Sequence, residues 1–328
     1  MRILSLFSGI GAFEKALKNL KIDFELVGYC EIDKYASKTY SMVHGVSEDK
    51  NLGDVIEVNT KQLPTDIDMI TYGFPCQDIS VAGKQKGFVD QNGKTRSGLF
   101  FDGLRIIEST KPKIAIAENV KNLTSKKFKV EFDIVLNCLE QAGYNNYYKV
   151  LNAKDFGVPQ NRERVFIISI RKDIDDGSFI FPESKPLELR LKDLLEDEVD
   201  EKYYLTDVKT PKLMKAIEEN NDPKIKQVLQ MYPNSGNPQA GRIYDPNGIS
   251  PAMDTCSGGN RMPKIITDKG IRKLTPRECW RLMGFDDEDF NTVEGISNTQ
   301  LYKMAGNSIV VDVLENIFME LLKRCYIS

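Results

Sequence analysis

The first 170 residues alternate short apolar runs with amphipathic stretches, and few architectures can bury such a pattern. Arg2 to Phe7 predicts a buried strand, and Ile10 to Leu20 predicts a helix with Phe13, Ala16, Leu17 and Leu20 on one face. The alternation continues with strands at Phe24 to Cys30, Asp68 to Tyr72 and Lys113 to Ala117. Helices are predicted at Lys34 to Val43, Leu99 to Ser109 and Phe128 to Ala142, and Tyr147 to Leu151 and Arg164 to Ile170 are strands that should pair. This order predicts an α/β fold with a largely parallel sheet covered on both faces.

The pattern changes after Arg171. Pro182, Pro186, Pro211, Pro223, Pro233, Pro238, Pro246, Pro251 and Pro263 punctuate the chain among Asn- and Gly-rich turns, so long helices do not fit there. Helical signals return at Thr275 to Met283 and at Ser308 to Leu322, the latter after an Ala305-Gly306-Asn307 turn. The expected division is a catalytic, cofactor-binding domain of residues 1–172 plus 300–328 and a smaller, loop-rich domain of residues 173–299. A chain of 328 residues is long enough for both.

Several function classes are disfavoured. No apolar run approaches the roughly 18 residues needed to span a bilayer, and the N-terminus lacks a signal-peptide cleavage pattern, so an intracellular protein is expected. The six cysteines are scattered without a Cys-x-x-Cys pair, and His44 is the only histidine, which argues against a structural zinc site or any other metal centre. His44 reads as a partly exposed residue at a helix end. The net charge of −3 owes much to the acidic run Asp193 to Glu201, read as a solvated face, so the remaining surface could still meet a polyanion.

Four elements carry chemistry. Leu6-Phe7-Ser8-Gly9-Ile10-Gly11-Ala12 runs from a strand through a Gly turn into a helix, where backbone can approach a ligand closely, and the acidic Glu31 follows about 20 positions later. Glu14 stands where a dinucleotide fingerprint needs its third Gly, which disfavours a dinucleotide but not a nucleoside cofactor. Gly73-Phe74-Pro75-Cys76-Gln77 ends a strand and offers a nucleophile. Glu118-Asn119-Val120 lies just past another strand end, and Arg162 and Arg164, two apart on a strand, could clamp an anion or a base together. Each alone has a plain structural reading as a tight turn, a core cysteine, a capping glutamate or surface arginines.

Together, in this order, they resemble the DNA (cytosine-5-)-methyltransferase family of bacterial or phage modification type. Gly53-Asp54-Val55, the run Arg272-Lys273-Leu274-Thr275-Pro276-Arg277-Glu278, and Gly306-Asn307-Ser308 extend the resemblance over nearly the whole chain except residues 173–270. Ala12 departs from the Gly many members carry there. The resemblance implies a Rossmann-like S-adenosylmethionine-dependent methyltransferase domain with a smaller loop-rich target-recognition domain. It implies methyl transfer to carbon 5 of cytosine within a short specific site in double-stranded DNA, through base flipping and a covalent cysteine adduct. Cys76 would be the nucleophile and Glu118 would hold the ring, with Arg164 and Arg162 steadying the base oxygen and phosphate.

S-adenosyl-L-methionine would lie on Phe7, Gly9, Gly11, Glu31, Ile32, Asp54, Val55, Pro75, Leu99, Asn307 and Ser308. Lys84, Lys86 and Arg96, in a Gly-rich segment suited to closing over the site, would meet phosphates, and Arg242 and Arg261 are candidates for reading bases. The implied setting is the cytoplasm of a bacterial cell or phage-infected host. The protein would act as a monomer, and a cognate restriction endonuclease would act on the same site without touching it. The rival readings are methylation of tRNA by the same chemistry, a non-catalytic nucleic-acid binder, and a nicotinamide-dependent oxidoreductase.

Overall fold

A computed structural model describes residues 1–75, 89–90, 93–94, 96–205, 227–230, 241–256 and 261–327. The chain divides into two compact units: Met1–Leu151 with Glu163–Glu183 and Val313–Ser328, and Asn152–Arg162 with Ser184–Asp312. The second unit therefore takes in residues 152–162 and runs on to 312, beyond the 173–299 read from the sequence.

The first unit is built on six strands: β1 (Arg2–Leu6), β2 (Glu25–Cys30), β3 (Met69–Tyr72), β4 (Ile114–Val120), β5 (Tyr144–Asn152) and β6 (Glu163–Arg171). Their order across the sheet is β2-β1-β3-β4-β6-β5. The first four are mutually parallel, and β6 runs antiparallel to β4. Strands covered on both faces read as continuous apolar runs. That is the case for Ile114-Ala115-Ile116-Ala117 and, apart from Ser5, for Ile3 to Leu6, all at most 1% exposed. The helices are α1 (Ala12–Asn19), α2 (Lys34–His44), α3 (Phe100–Thr110) and α4 (Lys129–Gln141). Tyr72, Phe74, Phe100, Ile107, Val135 and Leu139 form one buried cluster between sheet and helices.

Register decides where the chemistry falls. Cys30 pairs with Leu6, Leu6 with Tyr72, and Tyr72 with Ala117, so four parallel strands come level at one line. The next residues in each strand, Glu31, Phe7, Gly73 and Glu118, therefore share the carboxyl edge, where ligands bind in open α/β sheets.

His44 is buried, contrary to the partly exposed position expected of it. Its Nε2 lies 3.0 Å from the Ile10 carbonyl oxygen, and Gly11 leaves room for it: a Cβ there would come within 2.2 Å of that nitrogen. Burial, aided by the charge of Lys18, pushes the imidazole down to about 3. An unfolded chain takes up this proton below the ordinary 6.5, whereas the native protein refuses it until about 3. Through that window His44 should cost up to about 1.4 kcal/mol of stability per pH unit of acidification. Unfolding free energies of the protein and of His44→Asn, measured from about pH 7 to 4.5, should converge as pH falls. A gap independent of pH would contradict the buried neutral ring.

The second unit holds a small sheet of β7 (Gln227–Gln230), β8 (Arg242–Tyr244), β9 (Lys264–Thr267) and β10 (Gly270–Lys273), paired in chain order. Its helices are α5 (Pro276–Arg281), α6 (Asp287–Thr292) and α7 (Asn298–Asn307). The α7 helix was not expected: Ala305-Gly306-Asn307 is its last turn and not a separate loop. The final helix begins at Val311, later than the expected Ser308. The acidic run is also more engaged than a solvated face, because Glu196 pairs with Arg277 at 3.3 Å and accepts a hydrogen bond from the Thr275 hydroxyl. No helix of the described residues is long and apolar enough to cross a membrane.

Candidate active site

Glu118 sits on β4 with Val120 directly opposite Arg164 on β6. Residues two apart share a face, so Glu118 and Arg164 are diagonal neighbours, close enough for long side chains to meet. Arg164 Nε lies 3.0 Å from Glu118 Oε1, and the two side chains are 19% and 12% exposed. The pair is thus largely withdrawn from water while still reachable. The residue between, Asn119, is buried and donates from Nδ2 to the Phe74 carbonyl at 3.1 Å, tying the end of β4 to the segment after β3. A Cβ at Gly73 would stand 3.8 Å from Glu118 Oε2. Phe74 anchors this segment by packing on Phe100 with ring centroids 5.5 Å apart. The backbone that enters Cys76 through Phe74-Pro75 is therefore held beside the carboxylate. Cys76 itself lies outside the described residues, as do Lys84, Lys86, Gln239, Ala240 and Ser257 to Asn260.

Along the same edge, β1 turns sharply into α1. Phe7, Gly9 and Gly11 all take left-handed backbone angles, with φ of 54°, 56° and 79°. Such a conformation is costly for a bulky residue like Phe7 and is found where surroundings enforce it. The Gly9 amide donates to Glu31 Oε2 at 2.9 Å, and the Asp33 amide to Oε1 at 2.7 Å. Burial raises the Glu31 carboxyl above the usual range, and these amides oppose the rise. Ile32, 74% exposed, is a large apolar side chain left uncovered beside this carboxylate.

Asp54 caps the next turn through the Ile56 amide at 3.0 Å. Val55 is buried in the core, so the exposed apolar side chains here are Leu52 and Ile56. Two residues that shape the turn escaped the sequence reading. Asn51 Oδ1 accepts from the amides of Glu31 and Gly53 while its Nδ2 donates to the Glu31 carbonyl. Arg105, from α3, donates to the carbonyls of Val55 and Val58. An Asn two residues before a turn glycine is a readable signal for the first; nothing local signals the second. Pro75 and Leu99 are both partly buried.

The two arginines do not act as a pair on one target. Arg164 meets Glu118, whereas Arg162 belongs to the second unit and donates to the carbonyls of Met253, Gly306 and Ser308 there. In that unit Ser308 is buried, Asn307 and Arg261 are exposed, and Arg242 is partly buried. Arg272 makes a bidentate pair with Glu278, which also accepts the amides of Thr275 and Glu196. Among the described residues no group of three or more His, Cys, Asp or Glu could hold a metal ion.

The architecture is the Rossmann-like α/β fold that two solved methyltransferases share. The Schizosaccharomyces pombe Dnmt2 methyltransferase shares the fold with a TM-score of 0.71 at 23% identity, over 99% of each chain. The Entamoeba histolytica methyltransferase EhMeth does so with a TM-score of 0.70 at 16% identity, over 99% of this chain and 98% of its own.

Sequence relatives narrow the class. The orphan methyltransferase M.SPBetaI of Bacillus phage SPbeta is 35% identical, over 98% of this chain and 97% of its own. The type II methyltransferase M.HhaI of Haemophilus parahaemolyticus is 38% identical, over 97% and 93% respectively. The C-5 cytosine-specific DNA methylase family matches residues 1–323, and the chain belongs to that family. It is a DNA (cytosine-5-)-methyltransferase, and neither the oxidoreductase nor the non-catalytic reading survives.

Proposed function

We propose that this chain methylates carbon 5 of cytosine within one short specific site in double-stranded DNA, using S-adenosyl-L-methionine, a flipped base and a covalent adduct with Cys76. The observation that carries the reading is the Glu118–Arg164 pair beside the backbone leading into Cys76. The carboxyl edge of β1 and β2 suits the cofactor. Glu31 retains lone pairs for ribose hydroxyls after accepting two amides, and Ile32 offers an uncovered apolar face for adenine. Phe7, Gly9 and Gly11 would lie under the remaining part, and Asp54, Val55, Pro75, Leu99, Asn307 and Ser308 would complete the contacts. When bound, the cofactor supplies a methyl group on a sulfonium.

Carbon 5 of cytosine is a poor nucleophile until a thiolate adds to carbon 6. The Cys76 sulfur would form that bond, pushing the ring electron pair toward carbon 5 and nitrogen 3. Glu118 would hold nitrogen 3 and the exocyclic amine, donating a proton as negative charge gathers there. Arg164 would hold the carbonyl oxygen of the base through charge-assisted hydrogen bonds. Carbon 5 takes the methyl group as the sulfonium sulfur–methyl bond breaks and the thioether is left behind; water then takes the carbon 5 proton, which restores the double bond, expels the Cys76 thiolate and returns the ring proton to Glu118.

The stacked base must leave the duplex first, at a cost of a few kcal/mol. Lys84, Lys86 and Arg96 are assigned to phosphates, and Arg242 and Arg261 to the recognition side. Arg162, committed to backbone carbonyls, is assigned a positioning role in place of base contact. One copy of the chain serves one modified strand, and a restriction endonuclease sharing the site would be its functional counterpart.

Bisulfite sequencing of a mixed-sequence duplex after incubation with enzyme and cofactor should show protected cytosines within a single short motif. Protection scattered over all cytosines would overturn site specificity, and modification confined to a tRNA pool run alongside would overturn the substrate.

A further inference from the structure

The last turn of α7 is held by one buried cation. Carbonyls at a helix C-terminus have no partner within the helix and carry the negative end of its dipole. Arg162, 3% exposed, meets this need: Nη2 donates to the Gly306 carbonyl at 3.0 Å and to the Ser308 carbonyl at 2.7 Å. Its Nη1 donates to the Met253 carbonyl at 2.7 Å. One planar fork thus joins both sides of Asn307 to a second backbone segment, a geometry that a lysine ammonium reproduces poorly.

Two further contacts stiffen the same junction. A Cβ at Gly306 would fall 2.0 Å from the Asp254 carbonyl oxygen and 2.6 Å from the Thr255 nitrogen, so glycine lets the turn lie flat on that peptide. The neighbouring Gln160 accepts the Met253 amide at 3.1 Å and donates to the Leu282 carbonyl at 2.8 Å. Gln160 and Arg162 therefore fix the 253–255 backbone, and Arg162 carries that fixation to the carbonyls on either side of the exposed Asn307.

We infer that Arg162 is a positioning residue for cofactor binding, locking the 306–308 turn to the Met253–Thr255 backbone so that Asn307 is presented in one orientation. The inference rests on the reading that Asn307 contacts S-adenosylmethionine. A turn already fixed loses little freedom on binding, whereas a loosened one must be ordered at the expense of affinity.

Cofactor affinity should therefore fall about tenfold in Arg162→Lys, with kcat at saturating cofactor within about twofold of the parent. Asn307→Ala should also weaken binding, and the double variant should be little weaker than Asn307→Ala, because Arg162 acts through that residue. If Asn307→Ala binds normally, the underlying reading fails. If it weakens binding while Arg162→Lys does not, or if the two losses simply add, the inference fails. Hydrogen exchange on the unaltered protein gives a test that needs no variant. S-adenosylmethionine should slow exchange at the Met253 and Cys256 amides but not at Lys192 or Leu195 of the same unit. Equal exchange at Met253 with and without cofactor would overturn the coupling.

Discussion

Glu118→Gln should lower kcat for methyl transfer by about 10²–10³-fold while leaving cofactor affinity within about twofold. The substitution keeps the shape of the side chain and can still accept a hydrogen bond from Arg164 Nε, now 3.0 Å away. It removes the ability to donate a proton as charge develops on the ring. The loss belongs to the transition state, so kcat and kcat/KM for DNA should fall together. Phe7 and Gly9 follow β1, two strands from β4, and Glu31 follows β2, three strands from β4, so their contacts should not change. Stopped-flow binding and single-turnover methylation separate the two quantities. A weakened cofactor affinity with unchanged single-turnover rate would contradict the assigned role.

Arg272→Met should destabilise the second unit by about 3–5 kcal/mol, because it leaves a buried carboxylate without its cation. Glu278 is fully buried and Arg272 is 2% exposed; their two hydrogen bonds are 2.8 and 2.6 Å long. Glu278 also closes the capping box of α5 with Thr275. The charge cannot relax into water without breaking that helix start. Replacing both partners, as Arg272→Met with Glu278→Leu, removes the stranded charge and should recover a large part of the loss, less the cap. Urea denaturation of the two variants measures the difference. A loss below about 1 kcal/mol in the single variant would mean that water reaches Glu278.

The parallel strands were legible because burial on both faces writes itself as unbroken apolar runs, as in Ile114 to Ala117. Glu118 was legible because a carboxylate directly after such a run is expensive to bury without purpose. The fate of Arg162 was not: its three acceptors lie 91, 144 and 146 residues away, and backbone carbonyls carry no sequence signature. The burial of His44 was hidden for a related reason, since the space it fills is created by Gly11, just before another helix. The α7 helix was missed because Gly306 reads locally as a turn, while its actual reason is the close approach of Asp254.

This family member should transfer methyl groups to duplex DNA through Cys76. The most direct measurement is transfer of label from S-adenosylmethionine to unmethylated duplex DNA by the protein and by Cys76→Ser, with cofactor affinity determined for both. Label should enter the duplex with the parent and not with Cys76→Ser, at similar cofactor affinities. Label transferred at a comparable rate by Cys76→Ser would contradict that route.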